Sequence, residues 1–96
     1  MPQLIFSPAA LRDLKRLRDY LRPRSPVAAR RAAEVISKSL KSLVERPHVG
    51  RPADDMPQEY REWPIDFGDS GYLSLYRIDG AVVVVLAIKH QRASDY

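Results

Sequence analysis

The chain contains no cysteine. That excludes disulfide staples, thiolate metal sites and a cysteine nucleophile, and it fits a reducing compartment. Glycine is sparse, at four residues in 96, and no glycine-rich loop is spaced to cradle a phosphate. Histidine occurs twice, as His48 and His90, too far apart for metal-ligand spacing. No metal and no cofactor are expected. Long apolar runs are missing as well. Leu4-Ile5-Phe6 is far too short for a signal peptide, and nothing approaches the roughly 20 residues that span a bilayer. These absences predict a cytoplasmic protein with no membrane partner.

What is present is an ordinary globular composition, 45% hydrophobic and 29% charged, sized for a single domain over residues 1–96 with one core. The net charge of +4 is unevenly placed. Residues 1–51 hold 12 of the 16 Lys+Arg and 4 of the 12 Asp+Glu, a balance of +8, and residues 52–96 stand at −4. Such asymmetry speaks of partners rather than fold. It is read either as two Arg-rich solvated helix faces or as a surface for an acidic segment or a nucleic acid.

The pattern predicts strand, two helices, then three strands. Leu4-Ile5-Phe6 is a short strand, and Ser7-Pro8 is a helix start with Ser as N-cap and Pro at the first helical position. Leu11, Leu14, Leu17 and Leu21 recur at helical spacing, with Arg12, Asp13, Lys15, Arg16, Arg18 and Asp19 on the other faces. Pro23 is expected to end this helix. Ser25-Pro26 opens a second one, striped by Ala29, Ala32, Ala33, Ile36, Leu40, Leu43 and Val44 and closed by Pro47. A turn of three to four residues would make the pair an antiparallel hairpin. Residues 46–59 form a long proline-bearing loop. Strands follow at Tyr60–Phe67, with an edge or bulge expected at Pro64, at Tyr72–Ile78, and at Ala81–His90. The hairpin between the last two is signalled by Asp79-Gly80.

The last strand is apolar on both faces and reads as central and buried. It runs into Lys89, His90, Arg92 and Tyr96, residue types that bind phosphate or carboxylate or transfer protons. Parity then orders the candidates. Arg61 aligns with Trp63, Ile65 and Phe67, and Arg77 with Leu73 and Leu75, so both arginines stand at the rim of core-facing rows. His90 follows Val82, Val84, Leu86 and Ile88, which makes it an imidazole capping one sheet face. Tyr72 and Tyr76 share a face and are either core or an exposed aromatic pair, whereas Trp63 reads as core.

In this order the residues resemble the RelE/ParE superfamily of type II toxins, and its ParE branch more than its RelE branch. The resemblance rests on Phe6-Ser7-Pro8-Ala9-Ala10 with the two helices after it, Pro47-His48-Val49-Gly50-Arg51-Pro52, Tyr60-Arg61-Glu62-Trp63, Gly71-Tyr72, Leu75-Tyr76-Arg77 and Leu86-Ala87-Ile88-Lys89-His90-Gln91-Arg92. It implies an α+β fold, an antiparallel helical hairpin packed on a four-stranded antiparallel sheet in the order β-α-α-β-β-β. It implies a cognate antitoxin, ParD-like or other, whose C-terminal segment wraps the toxin, and DNA contact only through that complex. Growth arrest by free toxin, with plasmid stabilisation as its setting, also follows. ParE-like members resemble DNA gyrase inhibitors, and RelE-like members resemble ribosome-dependent mRNA endoribonucleases. A member that has lost toxicity and only binds its antitoxin is a third case.

For the ribonuclease, the candidate catalytic residues are Arg61, Arg77, His90, Arg92 and Tyr96. Against it stands a −4 sheet half with Lys89 as its one lysine, since RNA binding rests on phosphate neutralisation. The expected antitoxin surface is Leu11, Leu14, Arg16, Leu17, Arg18 and Leu21. The target-binding candidates are Lys89, His90, Arg92 and Tyr96.

Overall fold

Ser7 begins the first helix as its sequence demands. Its Oγ accepts the Ala10 N–H at 3.1 Å, and Pro8, which has no N–H to lose, fills the first helical position. The computed structural model describes residues 3–68 and 71–91. Within them, strand β1 (Gln3–Phe6) leads into helix α1 (Pro8–Arg24) and helix α2 (Pro26–Glu45), followed by a single 3-10 turn at Pro47–Val49. Strands β2 (Arg51–Pro52), β3 (Tyr60–Ile65), β4 (Tyr72–Asp79) and β5 (Val82–His90) follow. The α+β class and the order of major elements are those expected. No helix among the described residues is long and apolar enough to cross a membrane.

Several details differ from the sequence pattern. Among the described residues the sheet has five strands, ordered β1-β5-β4-β3-β2, and is mixed, because β1 runs parallel to β5. The extra strand, Arg51-Pro52, pairs with Glu62 and Arg61 inside the loop read as structureless. Proline hides such a strand from composition, yet it costs little at a sheet edge. Pro23 does not stop α1. The missing N–H falls in the last turn, and the Ser25 N–H still reaches the Leu21 carbonyl at 2.7 Å. Ser25 alone joins the two helices, ending α1 and capping α2 through the Ala28 N–H at 3.1 Å. The expected turn of three to four residues is absent. Strand β3 ends at Ile65 rather than Phe67, and its Pro64 lies on the open edge beyond β2.

The β4–β5 hairpin turns through Gly80-Ala81, one residue later than expected, because Asp79 still pairs with Val82. Gly80 adopts φ 58° at the first turn position, which a type II′ turn reserves for glycine.

Side-chain parity is reset in β5, not at Pro64. Leu75 opposes Ala87 and Tyr76 opposes Val85, so Leu86 bulges without a partner. Buried Val83 and Val85 therefore share a face with Ile88 and His90, and the even-numbered row read from sequence is broken. On β4 the helix-facing row is Tyr72, Ser74 and Tyr76, all buried, while Leu73, Leu75 and Arg77 lie on the other face. The expectation that Arg77 ends a core-facing row fails. Tyrosine and serine hold the core face because their hydroxyls find carbonyls, Tyr76 at Pro47 (2.6 Å) and Ser74 at Trp63 (2.9 Å). The Tyr72/Tyr76 alternative resolves as core.

Above that face pack Ile36, Leu40 and Leu43 of α2 with Ala10 of α1, and Leu14, Leu17 and Trp63 close the margins. The Trp63 indole N–H donates to Ser39 Oγ at 3.0 Å.

Asp13, read as a solvent-facing helix residue, is only 6% exposed. Beyond the end of β1, one edge of β5 is bare, and α1 lies along it. The Ser7 hydroxyl donates to the Leu86 carbonyl at 3.2 Å, and Asp13 Oδ2 accepts the Ile88 N–H at 2.9 Å. A buried carboxylate on a free strand edge satisfies the ladder and blocks further pairing there.

Candidate functional site

The helices do not close over β1. Between β1, α1 and α2 runs an open groove of about 900 Å³. Its floor is apolar, from Leu4 and Phe6 of β1, Leu11, Leu14, Leu17 and Leu21 of α1, and Ala29, Ala33 and Ile36 of α2. Its rim carries Lys15, Arg18, Arg22, Arg30 and Lys41, and no carboxylate among the described residues lines it. The floor follows from the leucine spacing of α1, which is wider than the core needs. Leu11 stays 54% exposed. Ala29 and Ala33 leave room where larger side chains would have filled the space. Such a groove fits an apolar segment, and the rim favours acidic groups beside it.

Five of the six residues expected at the antitoxin surface, Leu11, Leu14, Leu17, Arg18 and Leu21, line this groove together. Arg16 does not. It points along another side of α1 and pairs with Asp13 at 3.4 Å. Arg22, Arg30 and Lys41 were not singled out in the sequence, although their recurrence at helical spacing from Arg18, Ala33 and Ser37 was available as a signal. Lys15 is partly neutralised by Asp19 at 2.7 Å, and that hydrogen bond holds the Asp19 carboxyl below its ordinary value.

The residues considered for RNA cleavage do not converge among the described residues. Arg61 lies on the helix-facing side of β3, opposite Tyr76. Its Nη1 donates to the Gly50 and His48 carbonyls at 2.8 and 3.1 Å, which makes it a clip on the 47–52 segment. Arg77 is on the opposite face, its guanidinium 6.0 Å from the Tyr60 ring. His90 lies at the other end of the sheet, edge-on to Tyr72 with ring centroids 5.5 Å apart. Arg77 and His90 are separated by five register positions, roughly 16 Å at about 3.3 Å per residue. Lys89 turns to Asp13, 3.4 Å from Oδ1. Arg92 and Tyr96 lie outside the described residues.

Sequence reasoning missed Asp13. The signal was its place three residues after Ala10 and four before Leu17, inside the apolar stripe. It also missed the Tyr76 hydroxyl, which takes the Gly50 N–H at 3.0 Å while donating to Pro47.

Comparison with known proteins gives this arrangement its class. Residues 4–94 match the family model of the ParE toxin of the type II toxin–antitoxin system parDE. The chain belongs to that family, within the RelE/ParE superfamily, and is the toxin type of such a system. Among its relatives, toxin RelE3 of Caulobacter vibrioides is 36% identical over 90 residues, covering 94% of this chain and 95% of the relative. Toxin RelE1 of the same organism is 38% identical over 87 residues, covering 91% and 90%. The fold is similar to that in the chromosomal ParDE system of P. aeruginosa, with a TM-score of 0.77 at 24% identity over 94% of this chain and 96% of that one. It is also similar to that in the intact E. coli RelBE toxin–antitoxin complex, with a TM-score of 0.62 at 22% identity over 93% and 95%.

Proposed function

We propose that this toxin is neutralised by a cognate antitoxin whose apolar segment lies in the β1–α1–α2 groove, and that the free toxin arrests growth by binding DNA gyrase rather than by cutting RNA. The observation that carries the second part is the scatter of the cleavage candidates. Cleavage by 2′-OH attack needs a base, a phosphate clamp and an acid within hydrogen-bond reach of one phosphodiester. Here Arg61 is occupied with carbonyls, Arg77 is on the opposite sheet face, and His90 is at the far end. The names of the curated relatives favour the competing reading, a RelE-like endoribonuclease acting on ribosome-bound mRNA.

Purified toxin is expected to reduce supercoiling by gyrase and to leave ribosome-bound mRNA intact. Ribosome-dependent cleavage that disappears in His90→Ala or Arg92→Ala would replace this reading with the ribonuclease.

The antitoxin part has its own test. Arg18→Glu with Arg22→Glu is expected to weaken antitoxin binding by about tenfold at low ionic strength, with the gap narrowing as salt rises. Titration calorimetry at two salt concentrations measures it. Equal affinity at low salt would mean that the rim is not engaged.

A further inference from the structure

Helix α1 has two flanks, and the groove uses only one of them. Leu11, Lys15, Arg18 and Arg22 face the groove. On the other flank Asp13, Arg16, Tyr20 and Arg24 follow at intervals of three, four and four residues, which lines them up in one row. The Arg24 guanidinium sits over the Tyr20 ring, 3.9 Å from its centroid, and Nη1 donates to the Tyr20 carbonyl at 2.7 Å. Tyr20 is nevertheless 57% exposed. Arg16 and Lys89 both approach Asp13 Oδ1 at 3.4 Å, so this carboxylate joins the α1 row to the end of β5. Arg16 and Lys89 thus share one buried carboxylate, Arg24 stacks on exposed Tyr20 further along, and the row is net positive.

We propose that Arg16, Tyr20 and Arg24, with Lys89, form the surface by which the free toxin grips its target, and that the target presents carboxylates of a protein surface there. The inference rests on the reading of this chain as a toxin that acts by binding. A guanidinium already stacked and hydrogen-bonded has lost much of its rotamer freedom before the partner arrives, so association costs less entropy. Tyrosine and arginine are also the residue types that concentrate binding energy at interfaces. Protein is favoured over nucleic acid for two reasons. Arg24 covers a face of Tyr20 that base stacking would need. Asp13, between Lys89 and Arg16, weakens the pull on a continuous run of phosphates. A planar carboxylate needs only the N–H groups that Arg24 and Arg16 still present.

The test uses the full chain in four forms: wild type, Tyr20→Ala, the double variant Arg16→Glu with Arg24→Glu, and Tyr20→Phe as the control. Growth arrest on induction without antitoxin, melting temperature and antitoxin affinity are measured for each. The toxin level needed for arrest is expected to rise by about tenfold or more in both variants, as for loss of an interface anchor. Melting temperature and antitoxin affinity stay at wild-type values, and Tyr20→Phe, which keeps the stack, keeps the arrest. Arrest at the wild-type level overturns the proposal. So does arrest lost together with melting temperature or antitoxin affinity, which would make the row a folding element. Salt-steep binding of the wild type to duplex DNA, lost in the double variant, overturns the carboxylate assignment in favour of nucleic acid. A wild type that arrests growth without affecting gyrase removes the gyrase reading, while the flank is still judged by arrest. A wild type that arrests nothing overturns both.

Discussion

Leu40→Ala is expected to destabilise the protein by about 2–5 kcal/mol, the usual cost of a leucine truncated inside a packed core. Leu40 is 0% exposed and sits mid-helix on α2, in one cluster with Ile36, Leu43, Tyr76 and Val85. The surrounding elements restrict collapse into the cavity, since the sheet below is tied by its ladders and α2 above is tied at Ser25. A domain of this size has about 5–15 kcal/mol of stability in hand, so the change removes a large part of the margin. Urea unfolding followed by circular dichroism measures it. A loss under about 1 kcal/mol would be incompatible with the helix-on-sheet core placed here.

Tyr76→Phe is the second large effect, and its cause is polar. The hydroxyl is the shared partner of the Gly50 N–H at 3.0 Å and the Pro47 carbonyl at 2.6 Å, and it anchors the 47–52 segment to the sheet. Without it, two backbone groups lose their partner where water has little access, at a cost on the order of 1–3 kcal/mol for each group left unsatisfied. Gly50 cannot adapt by growing a side chain. A Cβ there would stand 2.5 Å from the Tyr76 oxygen and 2.6 Å from the Glu62 carbonyl. Faster amide exchange at Gly50 and a lower unfolding free energy are the expected readouts. Wild-type exchange at Gly50 would show that the hydroxyl is not the anchor.

The same residue sets a pH dependence. Burial pushes the Tyr76 hydroxyl above its ordinary value of 10.0, and burial does the same to Tyr72. A group whose folded value is raised contributes fully below its unfolded value and loses that contribution as pH climbs toward the folded one. The wild type should therefore lose stability above about pH 10, and Tyr76→Phe should lose less over that range. Parallel curves for the two proteins would contradict this.

The two faces of α1 show how far a sequence can be followed. The leucine stripe predicted that α1 carries a partner surface, and five of the residues expected there line one groove. Arg16 and Arg18 looked equivalent in the sequence, since both are cations two positions apart on a charged helix. The packing of Ala10, Asp13, Leu14 and Leu17 against the sheet turns Arg18 to the groove and Arg16 to the β5 edge. The two lie about 200° apart around the helix axis, so the way the helix is turned about that axis decides which of them meets the groove. That angle is set by the sheet, not by the helix.

The sequence by itself determined whatever depends on neighbours within a few residues. Ser7-Pro8 and Ser25-Pro26 start the helices because an N-cap oxygen and a φ-locked proline act on the adjacent turn. The α2 stripe chooses its buried face because 3.6-residue spacing is a property of the helix itself. The alternation in β4 separates two faces, although only the tertiary structure says which one meets the helices. Only the tertiary structure decided the parallel seat of β1 on β5, the Leu86 bulge that turns His90 to the core face, and the burial of Asp13 on the bare β5 edge. Each depends on register between segments up to 79 residues apart. Strand pairing slips by one residue with no change in local preference, and one residue is enough to move a side chain from one face of the sheet to the other.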